Sequence, residues 1–140
     1  MAGSRDLRLG GLAADFLARV VGELLSDGWL RIYAGERPAA PDVVPDPDKG
    51  QRLLAQLQFA SPAFGPPLGG VVVALPFAAI EPSAPSGGRA TWFRATTHAG
   101  ATVLEGSVGE RAAALILNNP EIPRGAEVVI ERFSYAAQLS

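Results

Sequence analysis

The sequence predicts a mainly β fold, an antiparallel β-sandwich or barrel of about seven to eight strands with one N-terminal amphipathic helix. Three observations support this prediction. The 16 Gly and 12 Pro residues divide the chain into short segments separated by turns. One segment near the start has helical periodicity, whereas most later apolar segments alternate with a period of two. A length of 140 residues suits one domain with a single hydrophobic core.

The predicted domain begins at residue 11. Residues 1–10 are polar and contain glycine, so we expect a flexible or partner-ordered arm. Residues 11–140 form the single β-rich domain, and its helix covers residues 11–27.

Seven large apolar side chains form a broad stripe along the predicted helix: Leu12, Phe16, Leu17, Val20, Val21, Leu24 and Leu25. Charged residues (Asp15, Arg19 and Glu23) lie on the other side. Burying a large apolar side chain is worth roughly 1.5–3 kcal/mol, so we expect the stripe to pack against the domain's own sheet. Gly28 is expected to adopt the left-handed conformation that often ends a helix.

Four strand predictions follow from alternation. In residues 29–34, Leu30, Ile32 and Ala34 point to one side and Trp29, Arg31 and Tyr33 to the other. Residues 52–60 predict a half-buried strand with Leu53, Ala55, Leu57 and Phe59 on one face. The segments around "HAG" predict a hairpin of "RATWFRATT" and "ATVLEGSVG". "GGVVVALPFAAI", "AAALILN" and "AEVVIERFSYAA" complete the set.

A long polar loop is predicted at residues 38–48, "PAAPDVVPDPD". Its prolines prevent pairing inside a sheet, and "DKG" is a turn signal. Loops of this length within a compact domain are commonly functional or disordered. We expect this one to be a stiff projection.

Candidate catalytic and metal-binding residues are few. The chain has no Cys and one His. No nucleophile or orienting carboxylate accompanies His98 in a recognisable pattern, so we expect an exposed turn residue. Asp42, Asp46 and Asp48 are interrupted by prolines and lack a closing Glu, which favours a solvated loop over a calcium site. We therefore predict a non-enzymatic protein with no catalytic, cofactor-binding or metal-binding residues and no cofactor.

Charge and hydropathy disfavour two classes of partner. A net charge of −2 and a pI of about 5.3, without a Lys/Arg run, predict no nucleic-acid binding. The longest apolar run has ten residues and contains Pro76, too short to cross a membrane. Trp29, Trp92 and Phe93 could stack on bases or sugars, but packing in the core or an interface is favoured.

Four segments in order resemble a known family: "GWLRIYAGERPAAPD", "LLAQLQFASPAFG", "ATWFRATTHAGATVLEGSVG" and "LILNNPEIPRGAEVVIERFSYAA". They are similar to small tailed-bacteriophage and prophage proteins found among virion structural genes. Those proteins share an L-R-I-Y-x-G strand followed by Pro-Ala-x-Pro, a W-F-R strand, an aliphatic-Asp/Glu-Gly-[ST]-Val-Gly strand and a closing strand with alternating aromatics. The resemblance covers about residues 12–137, and the proline-rich loop at residues 41–47 departs from it.

The resemblance implies a virion structural protein, and we expect a head decoration (cement) protein located on the capsid surface. The expected partners are the major capsid protein or another virion protein, and a homo-oligomer, with a trimer favoured. Two alternatives remain: a low-copy neck, tail or fibre-base protein, and a ligand- or carbohydrate-binding β module. The arm and the loop are expected to make the subunit or capsid contacts, through Arg5, Arg8, Arg37, Pro41, Asp42 and Pro45.

Overall fold

The computed structural model describes residues 10–67, 71–77, 79–80, 87–110, 113, 115–117, 119–126, 128 and 130–136. This part of the chain contains one α-helix, one short 3-10 helix and ten strands. The elements in chain order are α1 Gly11–Leu25, β1 Trp29–Tyr33, the 3-10 helix Pro47–Lys49, β2 Leu53–Gln58, β3 Val71–Val73, β4 Ala79–Ile80, β5 Gly88–Arg89, β6 Trp92–Thr96, β7 Thr102–Gly109, β8 Leu115–Leu117, β9 Glu121–Ile122 and β10 Ile130–Ala136. The predicted mainly β class with one N-terminal helix is confirmed.

Eight of these strands form one sheet in the order β3-β10-β8-β7-β6-β1-β2-β4, and β5 pairs with β9 in a small second sheet. The predicted hairpin is present as the antiparallel pair of β6 and β7. One pair, β7 with β8, is parallel, which a purely antiparallel prediction did not include. The large sheet curls around a single core, because strands across most of its width, from β3 to β2, contribute side chains to one cluster.

Five phenylalanines form the centre of this core: Phe59, Phe64, Phe77, Phe93 and Phe133. The rings of Phe93 and Phe133 meet edge to face, with centroids 5.1 Å apart. The ring centroids of Phe59 and Phe77 lie 5.2 Å apart. These separations lie in the range that aromatic pairs prefer, so the core is already filled by large side chains from the sheet and its connections.

The alternation predicted for β1 is confirmed. Leu30 and Ile32 are fully buried, and they pair with Ala95 and Phe93 of β6. In β2 the pattern shifts at a bulge, where the register changes between Ile32 and Tyr33. Leu54 is therefore fully buried, and the prediction that Leu53 points inward is wrong.

Helix α1 begins where predicted and ends two residues earlier, but it packs through a neighbouring face of mainly small residues. The inner helix face, which is buried against the sheet, consists of Ala14, Ala18, Gly22 and Leu25. Of the predicted stripe, only Leu25 is fully buried and Val21 packs partly against the core. The outer helix face is exposed and consists of Leu12, Phe16, Leu17, Val20 and Leu24. The prediction that the whole stripe packs on the sheet is wrong.

The helix packs through its small residues because there is little space between it and the phenylalanine rings of the core. A Cβ atom added at Gly22 would lie 3.1 Å from the Phe64 ring, which is tighter than an ordinary van der Waals contact. Since the phenylalanines already fill the core, the helix can approach only through small side chains. The larger side chains of α1 are consequently left on the side away from the sheet.

The chain after α1 also differs from the prediction. Asp27, not Gly28, has the positive φ, at 61°; Asp tolerates this conformation better than most residues. Gly28 is required for a different reason, because a Cβ there would overlap the backbone carbonyl of Thr96. Gly28 thus permits a close approach between the end of the helix and β6.

Candidate interaction surface

The predicted contact residues fall in two parts of the chain. Arg37, Pro41, Asp42 and Pro45 all lie in the proline loop, defined here as residues 35–51 between β1 and β2. Arg37, Pro41 and Asp42 are exposed, and Pro45 is half-buried. Arg5 and Arg8 lie outside the described residues.

Gln51 closes the base of the proline loop. Its side-chain Nε2 donates to the carbonyl of Glu36 at 2.8 Å, and its Oε1 accepts from the backbone N–H of Asp46 at 2.8 Å. The residue is 8% exposed, so both hydrogen bonds are largely shielded from water. One amide therefore joins the two ends of the loop, and no pattern in the sequence distinguishes this glutamine from the others.

The second half of the loop is a capped turn. Asp46 accepts from the backbone N–H of Asp48 at 2.9 Å and caps the 3-10 helix, which ends at Gly50 with φ of 81°. This confirms the turn expected at "DKG". Asp46 is thus used for capping, and among the residues that the structure describes no three acidic or His side chains are grouped to hold a metal ion.

The middle of the proline loop is attached to the sheet. The hydroxyl of Thr102, at the start of β7, donates to the carbonyl of Pro41 at 3.0 Å. The loop leaves β1 at Tyr33, which pairs with Trp92 at the opposite end of β6 from Thr96, the partner of Thr102. The loop therefore runs along the sheet and does not project from it, so the prediction of a stiff projection is wrong in its direction.

Beneath the loop lies what we call the loop face, formed by Tyr33, Trp92, Arg94 and Glu105. These residues are cross-strand neighbours on the side of β1, β6 and β7 opposite the core. The rings of Tyr33 and Trp92 stack with centroids 4.4 Å apart, and the Trp92 indole N–H donates to the carbonyl of Ala34 at 3.2 Å. Trp92 is 2% exposed; for this tryptophan, packing rather than a stacking platform is confirmed.

An ion pair is buried at the centre of the loop face. Arg94 Nε lies 2.6 Å from Glu105 Oε2, and the two side chains are 8% and 6% exposed. The guanidinium also lies over the Trp92 ring, with Cζ 5.5 Å from the centroid. Arg94 Nη2 is buried and makes no hydrogen bond to any part of the chain that the structure describes. Such a pair contributes little net stability, but removing one partner leaves a charge uncompensated.

Burial raises the pKa of the Tyr33 phenol above its ordinary value of 10.0, and Glu105 adds to the effect. Arg31 and Arg94 act in the opposite direction. Desolvation is the largest cause, in agreement with the burial of Tyr33, which is 8% exposed.

His98 is an exposed residue in the turn between β6 and β7, as predicted. Its Nδ1 donates to the carbonyl of Asp27 at 2.9 Å. Its ring stacks on Trp29 with centroids 6.2 Å apart. The imidazole therefore holds two turns together at the end of α1, a structural role that accounts for both of these contacts.

The second exposed surface is the outer helix face. The exposed fractions are 89% for Leu12, 64% for Phe16, 41% for Leu17, 37% for Val20 and 48% for Leu24. Sequence periodicity found these residues but assigned them to the core. The part of the chain that the structure describes has no helix long and apolar enough to cross a membrane.

A cavity of about 360 Å³ lies beside α1, between the helix and the proline-rich connector that follows β2. Its apolar walls include Gly22, Phe64, Pro66 and Pro67, and Arg19 and Glu23 contribute the charged groups. Its volume is sufficient for a small ligand. A mostly apolar lining of this kind suits the burial of an apolar group better than the orientation of a polar substrate.

Comparison with known proteins gives no family model that matches the sequence, no match among curated proteins and no match among solved structures.

Proposed function

We propose that this chain is a non-enzymatic structural protein of tailed-phage particles, a head decoration protein that binds and stabilises the capsid lattice. The observation that carries the proposal is the proline loop, an exposed segment fixed at its base by Gln51 and at its middle by Thr102. A segment held in this way loses little conformational entropy when it docks on a protein surface.

The composition of the loop supports the same function. Arg37 and Asp42 are exposed on it and offer charges of both signs, and an arginine can bind a carboxylate through two parallel hydrogen bonds. The prolines restrict the unfolded and undocked conformations of the segment. We propose that the loop contacts the major capsid protein or another virion protein.

The resemblance of the ordered sequence segments to phage virion proteins supplies the biological setting. In this setting the chain is located on the virion, acts as a homo-oligomer with a trimer favoured, and binds neither nucleic acid nor membrane. Decoration proteins repeat with the symmetry of the lattice that they bind. Each copy would therefore present the same loop at equivalent positions.

Quantitative mass spectrometry of purified particles tests this proposal. We expect a copy number equal to that of the major capsid protein or to a simple lattice fraction of it. A ratio far below this would assign the chain to the neck, tail or fibre base. Absence from the particles would refute a virion role altogether.

The alternative of a carbohydrate-binding module requires exposed aromatic rings. Trp92 is 2% exposed and stacked on Tyr33, so it does not supply one. Trp29 is half-buried and stacked on His98. Tryptophan fluorescence during sugar titration is the direct test, and we expect no saturable change.

A further inference from the structure

We infer that the outer helix face (Leu12, Phe16, Leu17, Val20 and Leu24) is the surface through which copies of this chain associate, and that its occupant is the same face of a second copy. The inference deepens the proposed function and rests on it only for the expectation of a homo-oligomer. The proposed function itself places the capsid contact elsewhere, in the proline loop.

The outer helix face is rich in exposed apolar side chains. Between Leu12 and Leu24 the exposed side chains of α1 are apolar except for those of Arg19 and Glu23, which lie along one border. Phe16 and Leu12 alone are 64% and 89% exposed. Contiguous apolar patches of this size on soluble proteins commonly mark interaction sites, because leaving them in water forfeits the free energy of burial.

The charges around the outer helix face disfavour a lipid surface as its partner. Helices that bind membranes in the interfacial plane are flanked by several Lys or Arg residues that attract anionic lipids. Here the border of the apolar face carries Asp15, Arg19 and Glu23, and the chain has a net charge of −2. The chemistry therefore favours a protein partner over a bilayer.

The outer helix face can pair with the same face of a second copy. If two helices pack antiparallel through their outer faces around a two-fold axis at the level of residue 18, Leu12 faces Leu24 of the second copy and Phe16 faces its Val20. Both contacts occur twice by symmetry, as an isologous interface requires. In this arrangement each charge of the border formed by Asp15, Arg19 and Glu23 has one like and one opposite neighbour on the second copy, so the apolar contacts rather than the charges must favour the pairing.

The exposed apolar area of the outer helix face is sufficient for weak association. The exposed fractions of the five side chains are together equivalent to roughly three complete large side chains, or about 400 Å² at about 150 Å² each. Two copies would bury about 800 Å² through these residues, below the roughly 1,200 Å² at which stable specific interfaces begin and in the range of weak, transient contacts. Association is therefore expected to be reversible and dependent on concentration, and to be favoured where copies are brought close together.

Sedimentation of the isolated chain over a wide range of concentrations tests this inference. We expect a reversible shift from the 14.5 kDa monomer to a multiple of that mass. The double variant Phe16→Gln/Leu24→Gln should raise the dissociation constant at least about tenfold, because glutamine keeps helix propensity while removing apolar contact. The matched control is Arg19→Gln, on the same helix outside the apolar face, which should change the constant less than about threefold.

A second measurement covers the possibility that the double variant folds poorly. The natural chain has no Cys, so Leu17→Cys places a single thiol on the outer helix face, and a short bis-maleimide reagent should link two copies. Val44→Cys, at a position 80% exposed in the proline loop, is the control and should link far less. Cross-linked dimers at residue 17 support the inference, because the proposed pairing joins two copies about a two-fold axis.

Two results would overturn it. One is a wild-type chain that stays monomeric up to about 1 mM, where even a weak pair would form. The other is association that persists unchanged in the double variant with equal cross-linking at both thiols. Neither depends on phage particles, so absence of the chain from particles would refute the proposed function and leave this result standing.

Discussion

Helix α1 and the proline loop lie against opposite faces of the same sheet, and they are held there by different interactions. The helix contacts the core through Ala14, Ala18, Gly22 and Leu25, so its position depends on the size of side chains. The loop lies over an aromatic and charged face and is held by hydrogen bonds from Gln51 and Thr102. Its position depends on the pairing of polar groups.

The helix and the proline loop therefore tolerate different kinds of substitution. Packing against phenylalanine rings is sensitive to an added methyl group but indifferent to charge at a distance. A buried ion pair under a polar covering is sensitive to the loss of one partner, while a change in exposed loop side chains costs little. Three sets of substitutions and one titration test this comparison between the helix and the loop.

The largest effect is expected from breaking the ion pair beneath the loop. Glu105→Gln keeps the size of the side chain but leaves the charge of Arg94 buried without a carboxylate, and we expect a loss of about 3–5 kcal/mol in the free energy of unfolding. Urea denaturation measures this loss. The exposed pair of Arg89 and Glu121, with side chains 58% and 60% exposed, provides the control Glu121→Gln, expected to cost less than about 1 kcal/mol. Equal losses in the two variants would show that burial of the Arg94–Glu105 pair does not increase the cost of losing its carboxylate.

The next effect tests the inner helix face. Ala18 is fully buried, so Ala18→Leu should overpack the contact with the sheet and cost about 1–3 kcal/mol. Ala13 is exposed on the same helix, and Ala13→Leu should change stability by less than about 0.5 kcal/mol. Denaturation of both variants at low protein concentration gives the comparison. A larger loss at residue 13 would show that the helix packs through the other side.

A smaller effect is expected at the base of the loop. Gln51→Ala removes two shielded hydrogen bonds and should cost about 1–2 kcal/mol, together with faster proteolytic cleavage of the loop. Gln58 makes one exposed hydrogen bond to the carbonyl of Asp27, so Gln58→Ala is a matched control with a smaller expected cost. If cleavage of the loop were equal in the two variants, Gln51 would not be what holds the loop in place.

The smallest effect concerns pH. Because burial raises the pKa of Tyr33 above 10.0, the protonated phenol is favoured in the folded state. The resulting contribution to stability is fully present below pH 10 and is lost as pH rises through the folded-state pKa. Titration of tyrosinate absorbance for the wild type and Tyr33→Phe isolates this group by difference. A component with an ordinary or lowered pKa would contradict the buried environment described here.

The sequence alone predicts much of the fold, because alternation in β1 and β6 and the periodicity of α1 depend on local pattern. It does not predict which side of α1 faces the sheet. Periodicity identifies apolar side chains, but whether they fit depends on Phe64 and the other rings that already occupy the core. The bulge that turns Leu54 inward is likewise a property of pairing between two strands.

The sequence also predicts the candidate surfaces only in part. Arg37, Pro41, Asp42 and Pro45 were predicted as a group because prolines and charges cluster in the sequence, and the structure places them in one loop. The residues that hold this loop, Gln51 and Thr102, carry no distinguishing sequence signal, since their partners are backbone groups distant in the chain. The pairing of Arg94 with Glu105 depends on the register of β6 and β7.

The attachment of the loop through the carbonyl of Pro41 has a consequence for how this protein can diversify. Every amino acid supplies that carbonyl, so the hydrogen bond from Thr102 does not select the residue at position 41. The exposed residues around it can therefore be exchanged without disturbing the sheet. A lineage of such chains could acquire new binding specificity on an unchanged body, and an engineer could graft a foreign epitope at the same place.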